Sequence, residues 1–277
     1  MGILRTAAML MMTVAAMSLT ACAASAKNES GAPEKESSEL TESKVQQDTA
    51  PAETEVTPKV TSFKAPEEYG KVIALTFDDG PDSVSTNMIL DIFEENGAKA
   101  SFFLIGDNIN DSTADTVKRE AELGFEINSH SRTHSYMNKM SAEEIKAEMD
   151  YTDEKISELT GTVPRFFRPP YIAVNDIMYE TIDKPFINGL GCNDWDKSVS
   201  AEKIAESVLA QAEDGAIILL HDGGSNTRTA EALKTIVPEL QAQGYELVTV
   251  SELFHAKGVE PQEDGILYSR AEQDTAY

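Results

Sequence analysis

Two histidines four residues apart, His130 and His134, are the residues in this sequence best suited to hold an ion. That separation lets two imidazoles face one ion from a loop or a helical turn. The spacing alone is a weak signal, and it gains meaning from carboxylates elsewhere in the chain. Asp78 and Asp79 stand side by side in the run Asp78-Asp79-Gly80-Pro81. A turn that caps the next helix accounts for one aspartate there but not for two, because adjacent carboxylates repel. A cation would relieve the repulsion. Asp79 with the two histidines then makes a two-His, one-carboxylate set that leaves positions open for water. Magnesium-dependent phosphotransfer also places an acidic pair after a first strand. Magnesium prefers oxygen ligands, however, which leaves the histidines without a task, and the sequence has no Gly-rich phosphate loop. Arg168, Trp195, Leu219 and His221 have duller readings on their own: a surface ion pair for Arg168, simple core for Trp195 and Leu219, a satisfied core histidine for His221.

The elements that must position these groups can be read from apolar runs and their punctuation. Residues 72–77 form a short apolar run that Asp78-Asp79-Gly80-Pro81 stops. A helical stretch to Glu95 follows, ended by Gly97. Residues 100–105 predict a second strand, the next helix ends at Gly124, and residues 125–128 predict a third strand. Ser141 with Glu144 forms a capping box that opens a long helix ending at Gly161. Residues 165–167 predict a fourth strand, and residues 185–190 a weak fifth. Ser200 caps a helix to Gly215, residues 216–220 are an apolar strand, and a helix over about 229–243 leads to a last strand at 247–250. Some seven strands alternating with helices imply a parallel sheet covered by helices, either a barrel or an open doubly wound sheet. Both put the active site at the C-terminal ends of the strands. There the candidate residues fall: Asp78 and Asp79 after the first strand, His130 and His134 after the third, Arg168 after the fourth, Asp194 and Trp195 after the fifth, His221 and Asp222 after the sixth. Three of the four histidines therefore stand at predicted strand exits.

The N-terminal quarter reads differently. Arg5 precedes an apolar run over residues 6–19, too short to span a bilayer and consistent with an export signal. Leu19-Thr20-Ala21-Cys22 then resembles the bacterial lipobox, in which the signal is cut before the cysteine and a lipid joins its thiol. A plain secretory signal cut within 23–26 is the alternative. Residues 23–66 are mostly Glu, Lys, Ser, Thr, Pro and Ala with Phe63 the sole aromatic, a composition that predicts a disordered tether. The formal net charge of −25 argues against nucleic acid, which needs clustered Lys and Arg. With Cys22 and Cys192 the only cysteines, no disulfide framework holds the fold.

Five strings occur in order along the chain: TFDDG at 76–80, HSRTH at 130–134, RPPY at 168–171, DW at 194–195 and LLH at 219–221. Together they resemble the motifs of the polysaccharide deacetylases, the NodB-homology enzymes of carbohydrate esterase family 4, over about residues 69–254. The resemblance implies a distorted barrel of seven strands and helices that binds one divalent ion, zinc first, with cobalt, nickel or manganese as alternatives. It implies Asp79, His130 and His134 as metal ligands and Asp78 as the base that deprotonates the attacking water. His221 becomes the acid that protonates the leaving group, Arg168 the residue that orients Asp78, and Asp194 the partner that tunes His221. The Tyr171 backbone N–H is expected to help hold the oxyanion, and Trp195 and Leu219 to wall the acetyl pocket. Two positions depart from the family pattern: Ser135 where proline is frequent after the second metal histidine, and Gly191 where an extra aspartate is frequent.

The expected organisation is a lipoprotein signal over 1–21, a tether over 22–66, a deacetylase domain over 67–258 and a tail over 259–277. The expected activity is removal of acetyl groups from N-acetylglucosamine units of a cell-wall polysaccharide, peptidoglycan being favoured by an exported monomer anchored through Cys22 to the outer face of the bacterial membrane. An O-deacetylase of the acetyl xylan esterase kind and a non-catalytic glycan-binding lipoprotein are the alternatives.

Overall fold

An unbroken apolar run can lie in a sheet only where both faces are covered, and β1 (Lys71–Asp78) is buried at every residue but its first. The computed structural model describes residues 62–263 and 265–273, within a compact unit that spans 54–277. The signal, Cys22 and nearly all of the expected tether lie outside the described residues. Along one edge β1 pairs in parallel with β6 (Ala216–His221). Its other edge is shared between β2 (Ser101–Leu104), opposite its last residues, and β7 (Tyr245–Leu247), opposite its first three. β3 (Glu126–Ser129) extends the sheet from β2, and β5 (Leu190–Gly191) extends it from β6. The order is β3-β2-β1-β6-β5, with every pairing parallel. A short pair, β4 (Phe186–Ile187) and β8 (Leu267–Tyr268), stands beside it.

Strand periodicity divides the core in two. Ile73, Leu75 and Phe77 of β1 pack with Phe102, Ile218 and Leu220 against α1 (Ser85–Glu95), α5 (Ala201–Gln211) and α6 (Thr227–Ala242). Val72 and Ala74 point the other way, with Phe103 and Ile217, into a second cluster closed by α7 (Val250–Ala256). By the same alternation Thr76 and Asp78 leave β1 on that second face, and Leu219 and His221 leave β6 on it. α2 (Ala114–Glu122) and α3 (Ala142–Thr160) follow β2 and β3. The capping box of α3 is formed, since the Ser141 hydroxyl accepts from Glu144 N and the Glu144 carboxylate from Ser141 N. Its end is the left-handed Gly161, φ 69°. No helix among the described residues is long and apolar enough to cross a membrane.

Several expected elements are corrected. The fourth strand at 165–167 shrinks to single bridges from Phe167 to Ser129 and to Phe186. Pro164, Pro169 and Pro170 around it have no N–H to give to a ladder. The weak fifth strand at 185–190 is two strands, β4 and β5, broken at Gly189, whose φ of 98° is open to glycine but strained for other residues. The last strand ends at Leu247, because Thr249 accepts from Glu252 N and caps α7. The helix after Ser200 stops at Gln211 rather than Gly215. A short helix, α4 (Asp176–Thr181), capped by Asn175, was not foreseen.

Both ends of the domain also reach further than expected. Within the expected tail, Leu267, Tyr268 and Ala271 are buried and Ser269 O accepts from Ile217 N of β6. At the other end Lys64, assigned to the tether, ion-pairs with Glu246, and its carbonyl meets His255 Nε2 at 2.8 Å.

Candidate active site

The last residue of β1 and the first residue beyond it carry the two aspartates, and they diverge. Asp78 still obeys strand alternation and is buried on the inner face. Asp79 has left-handed backbone, φ 73°, which swings its carboxylate out of the strand direction. Its carbonyl is held by Asn108 Nδ2 at 2.8 Å. Gly223 presses against it so closely that a Cβ there would lie 2.5 Å from the Asp79 Cβ and carbonyl oxygen.

His130 is the first residue past β3, and its backbone N–H still reaches Leu104 O of β2. The loop that follows turns back through left-handed Ser131 and His134. Glu148 of α3 pins it by accepting from Arg132 N and Thr133 N, while the Ser131 hydroxyl accepts from His134 N. Asp79 Oδ1 thereby lies 3.5 Å from His130 Nε2 and 3.3 Å from His134 Nε2. One ligand atom from each of the three residues lies within 4.8 Å of the others. His130 Nδ1 sits 2.7 Å from Arg168 O, so Nδ1 donates and Nε2 is turned toward Asp79, while, against burial, Asp78 and Asp79 raise its pKa. Asp79 Oδ1 is buried with no hydrogen-bond partner among the described residues, a costly state that a cation would relieve. Burial pushes the Asp79 carboxyl up, but His130, His221 and His134 outweigh it and hold it down at about 2, so it is an anion throughout the neutral range. Burial and the neighbouring His130 lower His134, which favours the neutral imidazole that a metal needs. On burial, charge and donor type these three residues fit one divalent ion.

Asp78 is set by Arg168. The guanidinium is fully buried, gives Nη1 to Asp78 Oδ1 at 2.5 Å and Nη2 to Thr76 Oγ1 at 2.8 Å, and lies 4.2 Å over the Phe103 ring. Thr76 in turn donates to Ile218 O. Gly189 lets Arg168 pass, because a Cβ there would lie 3.2 Å from Nη2 and 2.9 Å from the Leu219 Cβ. With Oδ1 occupied, Asp78 presents Oδ2, 3.7 Å from His130 Nε2, toward the ligand set.

His221 faces the same space from β6. Asp194, fully buried, accepts its Nδ1–H at 2.8 Å on Oδ1 and its backbone N–H at 2.7 Å on Oδ2. The Thr229 hydroxyl donates to Oδ2, while Asn226 and Arg228 donate to the Asp194 carbonyl. Burial works against a charged His221, yet the hydrogen bond and charge of Asp194, with Asp78 and Asp79 behind them, raise it to about 9.

The structure thus gathers Asp78, Asp79, His130, His134 and Arg168 into one contact network, with the Asp194–His221 pair beside it. Tyr171 joins through its ring, 4.5 Å from that of His134. Leu219, half-buried, is register partner to Thr76. Trp195 is brought only to the rim: it is 63% exposed although Asp194 beside it is fully buried. Cys22 lies outside the described residues. Sequence reasoning missed Thr76, Glu148, Gly189, Gly223 and the Thr229–Asn226–Arg228 group around Asp194, all of which act through contacts between residues distant in the chain.

Comparison with known proteins agrees with this geometry. The Polysaccharide deacetylase family profile matches residues 65–184. A peptidoglycan-N-acetylglucosamine deacetylase of Bacillus cereus is 38% identical over 195 residues, covering 68% of this chain and 90% of that protein. The chain belongs to the polysaccharide deacetylase family. A bifunctional xylanase/deacetylase of Pseudobutyrivibrio xylanivorans is 50% identical over 199 residues, but those make up 72% of this chain and only 33% of that longer protein. A family 4 acetyl xylan esterase from Clostridium thermocellum, solved with a cobalt ion, superposes with a TM-score of 0.71 at 40% identity, covering 73% of this chain and all of that one. These relatives are named deacetylases or an esterase, and the Asp79–His130–His134 set is of the kind that takes a divalent metal.

Proposed function

We propose that this polysaccharide deacetylase hydrolyses acetyl groups from a cell-envelope or plant-wall glycan, with Asp79, His130 and His134 as ligands of one divalent ion, Asp78 as base and His221 as acid. One observation carries the reading: an orphaned, buried Asp79 oxygen between two imidazoles is flanked by a carboxylate fixed by Arg168 and an imidazole fixed by Asp194. An ion held there, with zinc favoured, would polarise the acetyl carbonyl and lower the pKa of the attacking water.

The chain's own groups do the rest. Arg168 occupies Asp78 Oδ1, so Oδ2 is the oxygen that accepts a proton from water as its oxygen bonds to the acetyl carbon. We assign the Tyr171 N–H as a donor to the resulting oxyanion, and Trp195 with Leu219 as walls of the acetyl methyl pocket. Asp194 holds the His221 Nδ1 proton, so Nε2 delivers the proton to the departing nitrogen or oxygen as its bond to carbon breaks. Acetate and a free amine or hydroxyl result. The bridges from Ser129 through Phe167 to Phe186, and between Ala216 and Arg270, support reading the strands as a distorted barrel around this site.

N-acetylglucosamine in peptidoglycan remains the first substrate, in keeping with export and lipid attachment at Cys22, which we also propose. O-acetylated xylan is the second reading, favoured by the 50% identity to the xylanase/deacetylase. Acetate release by the full chain from N-acetylglucosamine oligomers, peptidoglycan and acetylated xylan tests both, measured as isolated, after chelation, and with zinc or cobalt restored. Metal-dependent release ranks the polymers. Release that survives chelation overturns the metal assignment, and no release from any of the three overturns the enzyme reading for these glycans.

A further inference from the structure

Beside the metal ligands runs a column of rings that neither the ligand set nor the proton-transfer groups require. His134 lies 4.5 Å from Tyr171, and Tyr171 stacks on Tyr136 at 4.1 Å with the planes 17° apart. Lys139 Nζ lies 4.2 Å from the centre of the Tyr136 ring. Tyr171 and Ile172 both have left-handed backbone, φ 59° and 54°, a pairing of bulky residues that is strained. Such strain persists only where the surroundings over-determine it. The short turn at Pro170–Ile172 supplies part of the restraint through Ile172 N to Pro169 O and Ala173 N to Pro170 O. The ring of Tyr171 adds to it through its contacts with His134 and, stacked, with Tyr136. Tyr136 is 45% exposed and Tyr171 55%, so burial alone explains neither. Tyr136 is itself anchored: Met137 next to it is fully buried, and Asn138 O accepts from Asn175, which caps α4 just beyond the Tyr171 turn. The loops at 135–140 and 169–175 are therefore clamped twice, by the stacked rings and by the Asn138–Asn175 bond.

We infer that Tyr136 is a positioning residue: its ring holds Tyr171 in the left-handed turn and so aims the Tyr171 N–H at the oxyanion. The aim of that N–H rests on the function proposed above; the clamp itself does not.

The test uses the full chain with zinc, and Tyr136→Ala, Tyr136→Leu and Tyr136→Phe. Amide hydrogen exchange over residues 171–174 should quicken in the alanine and leucine variants and return to the parent rate in the phenylalanine variant. On N-acetylglucosamine oligomers and on 4-nitrophenyl acetate alike, kcat should fall roughly ten- to hundredfold in the first two, less than outright removal of an oxyanion donor, with KM near the parent value and Phe restoring kcat. Unchanged exchange in both the alanine and leucine variants overturns the inference. So does a rise in KM confined to the oligomers, which would make Tyr136 a sugar-contacting platform. If the parent enzyme releases no acetate, the function proposed above fails, and the exchange rates still decide the clamp.

Discussion

Asp78 and His221 are register partners on the adjacent parallel strands β1 and β6, and strand alternation sends both side chains to the same face. Neighbouring strands lie about 4.8 Å apart, so the proposed base and acid stand side by side on one face without any loop to place them. Each is then held by a buried partner from a different part of the chain, Arg168 for Asp78 and Asp194 for His221.

Asp78→Asn removes the proton acceptor while keeping the shape and the contact with Arg168. Acetate release should drop about 10²- to 10⁴-fold, the usual contribution of a general base. Metal content by elemental analysis should stay near one ion per chain. Activity near the parent level would remove Asp78 as base.

Asp194→Asn should move the alkaline limb of the pH–rate profile. His221 must be protonated to act as acid, and it is raised to about 9 chiefly by Asp194 working against burial. Deleting that charge lowers its pKa toward the ordinary histidine value, so activity should be lost at a lower pH than in the parent. The same shift bears on stability. A pKa raised on folding contributes stability that is complete below the unfolded value near 6.5 and is lost as pH rises through about 9. The parent's stability advantage over the variant should accordingly shrink across that window in denaturant titrations.

Gly223→Ala places a methyl group 2.5 Å from the Asp79 Cβ and carbonyl oxygen, closer than carbon atoms approach. Asp79 must move, and metal affinity should weaken by roughly 10- to 100-fold, as when the support of a ligand is disturbed. Calorimetric zinc titration of the metal-free protein reads this directly. Parent-like affinity would show that the Asp79 loop yields without cost.

Tyr268→Ala tests the segment beyond residue 258. Tyr268 is buried against Phe254, ring centres 5.1 Å apart, in the cluster on the inner face. Truncating it should cost about 3–5 kcal/mol in chemical denaturation, as for other buried aromatics. A loss below about 1 kcal/mol, typical of surface substitutions, would mean the segment is only laid on the domain.

The sequence by itself determined the parallel α/β layering, the principal helices, and the identity and strand-end placement of the chemical residues. Each of these is written locally: the apolar run of β1, the capping box at Ser141–Glu144, the left-handed glycines, and the polar residues that stop the strands. Only the tertiary structure decided how those residues meet. The divergence of Asp78 from Asp79 depends on one left-handed backbone angle held by Asn108 and Gly223. The burial of Arg168 depends on Thr76, Phe103 and the missing side chain of Gly189, contributed by three separate strands and loops. Strands of two residues, such as β4, β5 and β8, are shorter than any periodic signal, so their pairing, and with it the role of the chain beyond 258, came from neighbours rather than from their own residues. Alternation and capping act over a few residues and can be read along a chain. Contacts between residues far apart in the chain cannot, because nothing local marks a threonine, a glycine or a tyrosine for the partner that folding will bring to it.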